Sequence, residues 1–357
     1  MASFLEMKQI TKSFGNNVVL NHVDFSAEKG RVHALVGENG AGKSTLMKIL
    51  AGLFAPDSGD IFIDGRKVNI SSPKKAQTLG IAMIYQNICL FPDLNIGENV
   101  FIRREPVRKI YGIRRIDWNI VYKETKKYLD YFGLNISPRT QVKTLSIAQQ
   151  KFVEIIKALS QNAGIIIMDE PTAALTDPEI KLLFNVIRET KKLGVVVIYI
   201  SHRLEEIKRI ADTVTVIRDG EIIDTYDAST VDINIILKAM VGKELKDRYP
   251  KLKARLGKEI LRVQSLDCPG RLKDINFAVR RGEIFGITGL SGSGRTTLAR
   301  VLFGIEGPYN GQIYLNGKIY QQITPNISKK NGLCYITGIG TDEGLITCAT
   351  VTENITL

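Results

Sequence analysis

Nine consecutive residues carry the most specific chemistry in the chain: Gly37, Glu38, Asn39, Gly40, Ala41, Gly42, Lys43, Ser44 and Thr45. They satisfy the pattern G-x-x-x-x-G-K-[ST] at every fixed position. Glycines let successive backbone N–H groups close around phosphate oxygens, and a helix N-terminus directly behind them adds partial positive charge. A lysine at this place reaches β- and γ-phosphates, and the hydroxyl after it ligates Mg²⁺. Lys43 is thereby assigned to phosphate and Ser44 to the metal. Residues 31–36 read as a buried strand and 46–51 as a helix, which is the context the pattern requires.

Further candidates follow at the ends of apolar runs. Four apolar residues, 165–168, precede Asp169 and Glu170. Such a run reads as a strand buried on both faces, and ligands bind at the C-terminal ends of strands in α/β sheets. Asp169 can hold Mg²⁺ through water, and Glu170 can polarise a water for attack on the γ-phosphate. A second buried run, 193–200, ends in Ser201 and His202, where His202 can touch a γ-phosphate. The strand over 81–85 ends on Gln86, which can reach Mg²⁺ or the attacking water. Ser146 stands where an N-cap opens a helix, and a helix start can offer N–H groups to a phosphate. Phe14, just before the Asn16-Asn17 turn, can stack on an adenine ring or pack; the residues alone leave both readings open.

These groups need a scaffold, and the scaffold is repeated. Leu20 to Phe25 returns as Leu272 to Phe277, and Gly37 to Thr45 as the run from Gly289 to Thr297. Gly289, Gly292, Gly294, Arg295, Thr296 and Thr297 form the second phosphate loop, with arginine in place of lysine. The offset is 252 residues throughout this stretch, so the chain is a duplicated domain. The first copy is expected over 4–242, a basic linker over 243–259 and the second copy over 260–357. By the offset, the end at Leu357 matches roughly position 102 of the first copy, so a C-terminally truncated or fragmentary second copy is expected. Within the first copy, 4–10 and 18–25 read as strands of a small antiparallel sheet. Residues 97–160 read as an all-helical insertion with Lys/Arg/Glu faces. A strand is expected at Cys334-Tyr335-Ile336.

Bulk properties agree with an α/β protein of about two domains. Hydrophobic residues make up 44% and charged residues 24%, both ordinary for globular chains. No apolar run approaches the ~18–20 residues of a membrane span, and the first ten residues lack a signal-peptide core, so a cytosolic location is expected. The four cysteines show no C-x-x-C pair, which argues for a reduced compartment and against zinc. The net charge of +12 is the odd global number. It can mean scattered solvated lysines, nucleic acid or an anionic membrane surface. No basic-aromatic cluster supports a nucleic-acid groove, so no nucleic-acid partner is expected.

The phosphate loop, Tyr85-Gln86, the run Leu145-Ser146-Ile147-Ala148-Gln149, Asp169-Glu170 and Ser201-His202, in that order, resemble the ATPase subunit of ABC transporters. The resemblance covers the whole chain. It implies a P-loop ATPase domain with an antiparallel β subdomain and a helical subdomain, followed by a partial second copy. It assigns ATP and Mg²⁺ as cofactors, with Gln86, Glu170 and His202 catalytic, and Ser44, Gln86 and Asp169 at the metal. Leu145 to Gln149 becomes the signature, and Phe14 joins residues 37–45 at the nucleotide. The variant signature, Pro171-Thr172-Ala173-Ala174-Leu175-Thr176 and the arginine in the second loop resemble the tandem ATPases of monosaccharide importers. That group implies a peripheral place on the cytoplasmic face of the membrane, with integral-membrane sugar permease subunits as partners and an extracytoplasmic sugar-binding protein acting indirectly. Departures lie in the second copy, where Arg295 replaces lysine, no aromatic precedes Leu272, and the run 337–344 lacks the usual glutamate. Since each such ATP site joins one domain's loop to the other's signature, hydrolysis is expected to need a second ATPase chain supplying that motif. Rival readings are a soluble tandem ATPase acting on ribosomes, a DNA-repair ATPase of the same superfamily and a decayed importer subunit.

Overall fold

The computed structural model describes residues 3–110, 113–173, 175–242, 255–290, 292–338 and 344–356. The expected linker 243–259 falls mostly outside them, as does Ser291 of the second loop. Two compact units result, Met1–Lys246 and Asp247–Leu357.

A six-stranded sheet organises the first unit. Its strands, from edge to edge, are Glu221–Asp227, Thr213–Arg218, Val32–Val36, Val196–Ile200, Ile165–Asp169 and Ile81–Ile84. All pair in parallel except the first, which is antiparallel. Runs of valine and isoleucine suit strands covered on both faces, and Val32–Val36 and Val196–Ile200 are buried throughout. One face packs on helix Lys43–Leu50 and on an antiparallel sheet ordered Asn17–Ala27, Leu5–Phe14, Ser58–Ile63, Arg66–Val68. The other face packs Ile166, Met168, Val197 and Tyr199 against helices Ile147–Leu159 and Asp177–Lys192. Register matters most for function. Leu35 sits opposite Ile200, and Ile200 opposite Asp169. The phosphate loop, the acidic pair and the histidine turn therefore leave the sheet at one level.

His33 is a core histidine. It is 5% exposed, lies edge-on to Phe25 at 4.7 Å, and its Nε2 is 2.7 Å from the Thr215 hydroxyl. Burial pushes its pKa down to about 4, so the ring is neutral in the core.

The insertion over 97–160 is not all-helical. Helices Ile96–Phe101, Trp118–Tyr131 and Ile147–Leu159 are present, but a hairpin of Val107–Ile110 and Ile113–Ile116 lies between the first two. The pattern V-R-K-I then I-R-R-I places β-branched residues at strand-like spacing, and that local preference outweighs the helical surroundings.

The second unit repeats the antiparallel sheet in the order Leu272–Arg280, Glu259–Cys268, Asn310–Leu315, Lys318–Tyr320. Even the strained positions repeat, with positive φ at His22 and Asp274 and at Asp64 and Asn316. The expected strand at Cys334-Tyr335-Ile336 is not formed, and the stretch 283–290 before the second loop is also irregular. The reason is pairing. Val32–Val36 is held between two neighbouring strands, whereas among the described residues of the second unit no strand takes those places. An apolar segment cannot hold a parallel-strand conformation without ladder partners. Ile284 is consequently 100% exposed, where its counterpart Val32 is 0% exposed.

Candidate functional site

Around the C-terminal end of Val32–Val36, the chain builds a cradle that only glycine permits. A Cβ on Gly37 would stand 2.1 Å from the Ile217 carbonyl oxygen. At Gly42, where φ is +102°, it would meet a Leu20 methyl at 2.7 Å. Helix Lys43–Leu50 begins immediately after, aiming its unsatisfied N–H groups at the loop. Lys43 is 8% exposed, and its Nζ donates to the carbonyls of Gly37 and Glu38, each at 2.8 Å. Desolvation lowers its pKa, opposed by Glu170, Asp169 and Glu38. The lysine is thus held poised across the loop, in reach of a phosphate that could take over its hydrogen bonds.

A cavity of 370 Å³ opens over this loop, lined by Asn39 to Thr45 together with Asn17, Val19, Asp169, Glu170 and Ile200. Asp169 ends strand Ile165–Asp169. Burial and then Glu170 raise its pKa, while Lys48, Lys43 and a hydrogen bond from Ser44 pull it back. A carboxylate and a hydroxyl that line one pocket are the hard oxygen donors Mg²⁺ takes beside phosphate. The residues present therefore fit Mg²⁺ and a nucleoside triphosphate.

Glu170 has φ +44°, an unusual backbone for a side chain of this size. Its N–H donates to the Ile200 carbonyl at 3.0 Å, which ties it to the neighbouring strand. That turn brings two expected partners to one carboxylate. His202 Nδ1 lies 3.0 Å from Glu170 Oε1, and Gln86 Nε2 lies 3.5 Å from Oε2. Gln86, Asp169, Glu170, His202, Lys43 and Ser44 thus converge, as their types suggested.

Two groups stand apart. The side chain of Phe14 is 45% exposed, edge-on to Phe54 at 5.2 Å, and it does not line the cavity, although Asn17 across its turn does. Leu145 and Ala148 of the signature are buried in the helical core, while Ile147 is exposed. Ser146 and Gln149 form a reciprocal capping box at the start of helix Ile147–Leu159. These residues do not line the Lys43 cavity. In the second unit Gly294 keeps a left-handed φ and helix Arg295–Phe303 follows it, but Arg295 is exposed where Lys43 is buried. Among the described residues, Leu272 and Arg271 close on Gly294 as Leu20 and Val19 do on Gly42, but no strand pairs with the segment ahead of the second loop.

Three buried charges that were not singled out from sequence set the frame. Lys151 and Glu154, on the signature helix, pair at 3.2 Å with side chains 4% and 7% exposed. Lys151 also donates to the carbonyls of Tyr85 and Gln86, and Glu154 accepts from the Cys89 N–H at 2.8 Å. The helix that carries the signature is therefore clamped to both sides of the Gln86 loop. Glu206, 5% exposed, accepts from Thr172, Tyr199 and Ser201 through one oxygen. Burial and this carboxylate push the Tyr199 phenol far up, so it stays a donor. Glu206 thereby ties the turn after Glu170 to the strand end that presents His202. Only an i, i+3 spacing of opposite charge hinted at Lys151 and Glu154, and that spacing usually marks an exposed pair.

Comparison with known proteins follows the same outline. The ABC transporter family profile matches residues 20–173 and 272–346. The ribose import ATP-binding protein of Caldanaerobacter subterraneus is 44% identical over 357 residues, all of this chain and 71% of that protein. The xylose import ATP-binding protein of Thermoanaerobacter pseudethanolicus is also 44% identical, across 99% of this chain and 71% of its own length. Among solved structures, the ATP-binding cassette of an ABC transporter in its ADP conformation superposes with a TM-score of 0.59 at 25% identity. That match covers 68% of this chain and all of the cassette.

Proposed function

The chain belongs to the ABC transporter family of ATP-binding proteins, and from that premise we propose that it is the ATP-binding and hydrolysing subunit energising an importer of a monosaccharide. The observation that carries the reading is that Lys43, Ser44, Asp169 and Glu170 line one cavity while Gln86 and His202 both reach the Glu170 carboxylate. The relatives named for import of ribose and xylose give the substrate class.

The residues divide the work. Backbone N–H groups of 39–45 and the helix behind them bind the phosphates, and Lys43 moves from its carbonyls to the β- and γ-phosphate oxygens. Ser44, Gln86 and, through water, Asp169 would hold Mg²⁺, which would supply neutralising positive charge for the phosphates. Glu170 accepts the proton of the attacking water. His202 holds the Glu170 carboxylate in place and faces the γ-phosphate, and Phe14 stacks on the adenine. The signature Leu145–Gln149 serves a different site from the one on its own domain, completing a phosphate pocket presented by another ATPase domain. In return, the Lys43 site takes its signature from such a domain. Residues 260–357 contain no second signature, so a partner ATPase chain, or sequence beyond these residues, supplies it. The natural place for the subunit is the cytoplasmic face of the membrane, against integral sugar permease subunits, with an extracytoplasmic sugar-binding protein acting through them. Among the described residues no helix is long and apolar enough to cross a membrane.

Uptake of labelled ribose, xylose and galactose by cells lacking this gene tests the proposal. At least one uptake should fall, and be restored by the wild-type gene but not by Lys43→Ala. Unchanged uptake of all three sugars in the deletion strain refutes the importer assignment.

A further inference from the structure

The two-stranded ribbon of Val107–Ile110 and Ile113–Ile116 has a charge pattern that the fold does not need. Its register sets Arg108 opposite Arg115 and Lys109 opposite Arg114. Like charges directly across a strand pair are destabilising, and a two-stranded ribbon alone is marginal in water. This ribbon joins no larger sheet. All four cations are exposed. Among the described residues, the one acid within ion-pair distance of any of them is Asp117, 3.9 Å from Arg108.

Apolar side chains share the ribbon. Alternation along each strand puts Val107 and Ile116 on the same face as Lys109 and Arg114. Val107 is 59% exposed, and Trp118, at the start of the next helix, is 38% exposed and stacks on Tyr122. Exposed aliphatics interleaved with long basic side chains, next to an indole, match the boundary of a bilayer. There the cations snorkel to lipid phosphates, the aliphatics enter the acyl edge and tryptophan sits at headgroup level. A nucleic-acid strand would use the charges and leave the aliphatics in water.

We propose that this hairpin docks the subunit directly on an anionic lipid bilayer surface. It would give part of the net charge of +12 a role. The proposal rests on a membrane-associated function, but its test needs no permease or sugar, so its failure leaves the ATPase reading untouched.

The test is co-sedimentation of the purified chain with phosphatidylcholine vesicles, with and without phosphatidylserine, at low and high salt. Wild-type protein should bind the phosphatidylserine vesicles and be released by salt. Each basic residue near such a surface contributes about a factor of five. Two of the four, Lys109 and Arg114, share the face of Val107 and Ile116, so the quadruple variant R108Q/K109Q/R114Q/R115Q should bind them at least about 20-fold more weakly, while still binding Mg·ATP, which certifies its fold. Val107→Ser with Ile116→Ser should weaken binding and leave its salt dependence. Absence of wild-type binding to anionic vesicles overturns the proposal, as does equal binding by the quadruple variant. So does charge-dependent binding of single-stranded RNA by a chain that ignores the vesicles.

Discussion

Lys151→Met is the sharpest test of how the site is framed. The lysine is 4% exposed and its partner Glu154 is 7% exposed, so the substitution leaves a buried carboxylate with the Cys89 N–H as its hydrogen-bond donor and Lys157 as the remaining nearby cation. Breaking a buried pair from one side costs about 3–5 kcal/mol. A loss of about 3–4 kcal/mol is expected, towards the lower end of that range because Lys157 stays beside the carboxylate. The chain's single tryptophan, Trp118, lies on the neighbouring helical insertion and reports on the first unit alone. Urea unfolding followed by its fluorescence should show the midpoint falling by about 1–2 M, taking a slope of about 2–3 kcal/mol per M. Replacing both partners, Lys151→Met with Glu154→Leu, should recover most of the loss, because an apolar pair leaves no buried charge. A single variant that costs under about 1 kcal/mol, or a double variant that recovers none of the loss, refutes the argument that this pair is a dry, charged clamp on the Gln86 loop.

Other outcomes follow from the same geometry. Glu170→Gln should keep Mg·ATP affinity within about threefold while phosphate release, measured with a signature-bearing partner, falls by about 10²–10⁴-fold. His33 has a folded pKa of about 4 against about 6.5 unfolded, so its stabilising neutrality is fully present above pH 6.5 and lost as pH falls towards 4. That loss reaches about 3 kcal/mol, and His33→Asn should flatten it in urea titrations repeated across pH. Leu35→Ala, at a fully buried position, should cost about 2–5 kcal/mol by the same fluorescence measurement. Ile284→Ala, at the fully exposed position in the second copy, should change the calorimetric melting of that unit by less than about 0.5 kcal/mol.

Much of the site was legible in one dimension because its parts are local. A phosphate loop is nine contiguous residues with backbone demands that only glycine meets, and its strand and helix stand directly beside it. Asp169, Glu170 and His202 were legible because each ends a run of apolar residues, and strand ends are where an α/β sheet presents ligands. The antiparallel sheets, the duplication and the cap at Ser146 were readable for the same reason. What escaped was either short or distant. The two-stranded ribbon of Val107–Ile110 and Ile113–Ile116 has strands of four residues each, too brief to be told from the surrounding helical pattern. Lys151 contacts carbonyls 65 and 66 positions away, and Glu206 gathers donors from two separate strand ends.

Sequence by itself set out a phosphate-loop pattern, the residue types that fill it, and its return 252 positions on. Tertiary structure alone decided which carboxylate meets the histidine and glutamine, and that the signature lies outside the cavity of its own domain. It also decided that, among the described residues, no strand pairs with the segment ahead of the second copy's loop. The physical reason is pairing. A motif states what its own residues can do, whereas a parallel strand, a buried charge or a catalytic carboxylate takes its state from neighbours far away in the chain. Val32 and Ile284 occupy matching places in the two copies, one sealed between strands and the other bare.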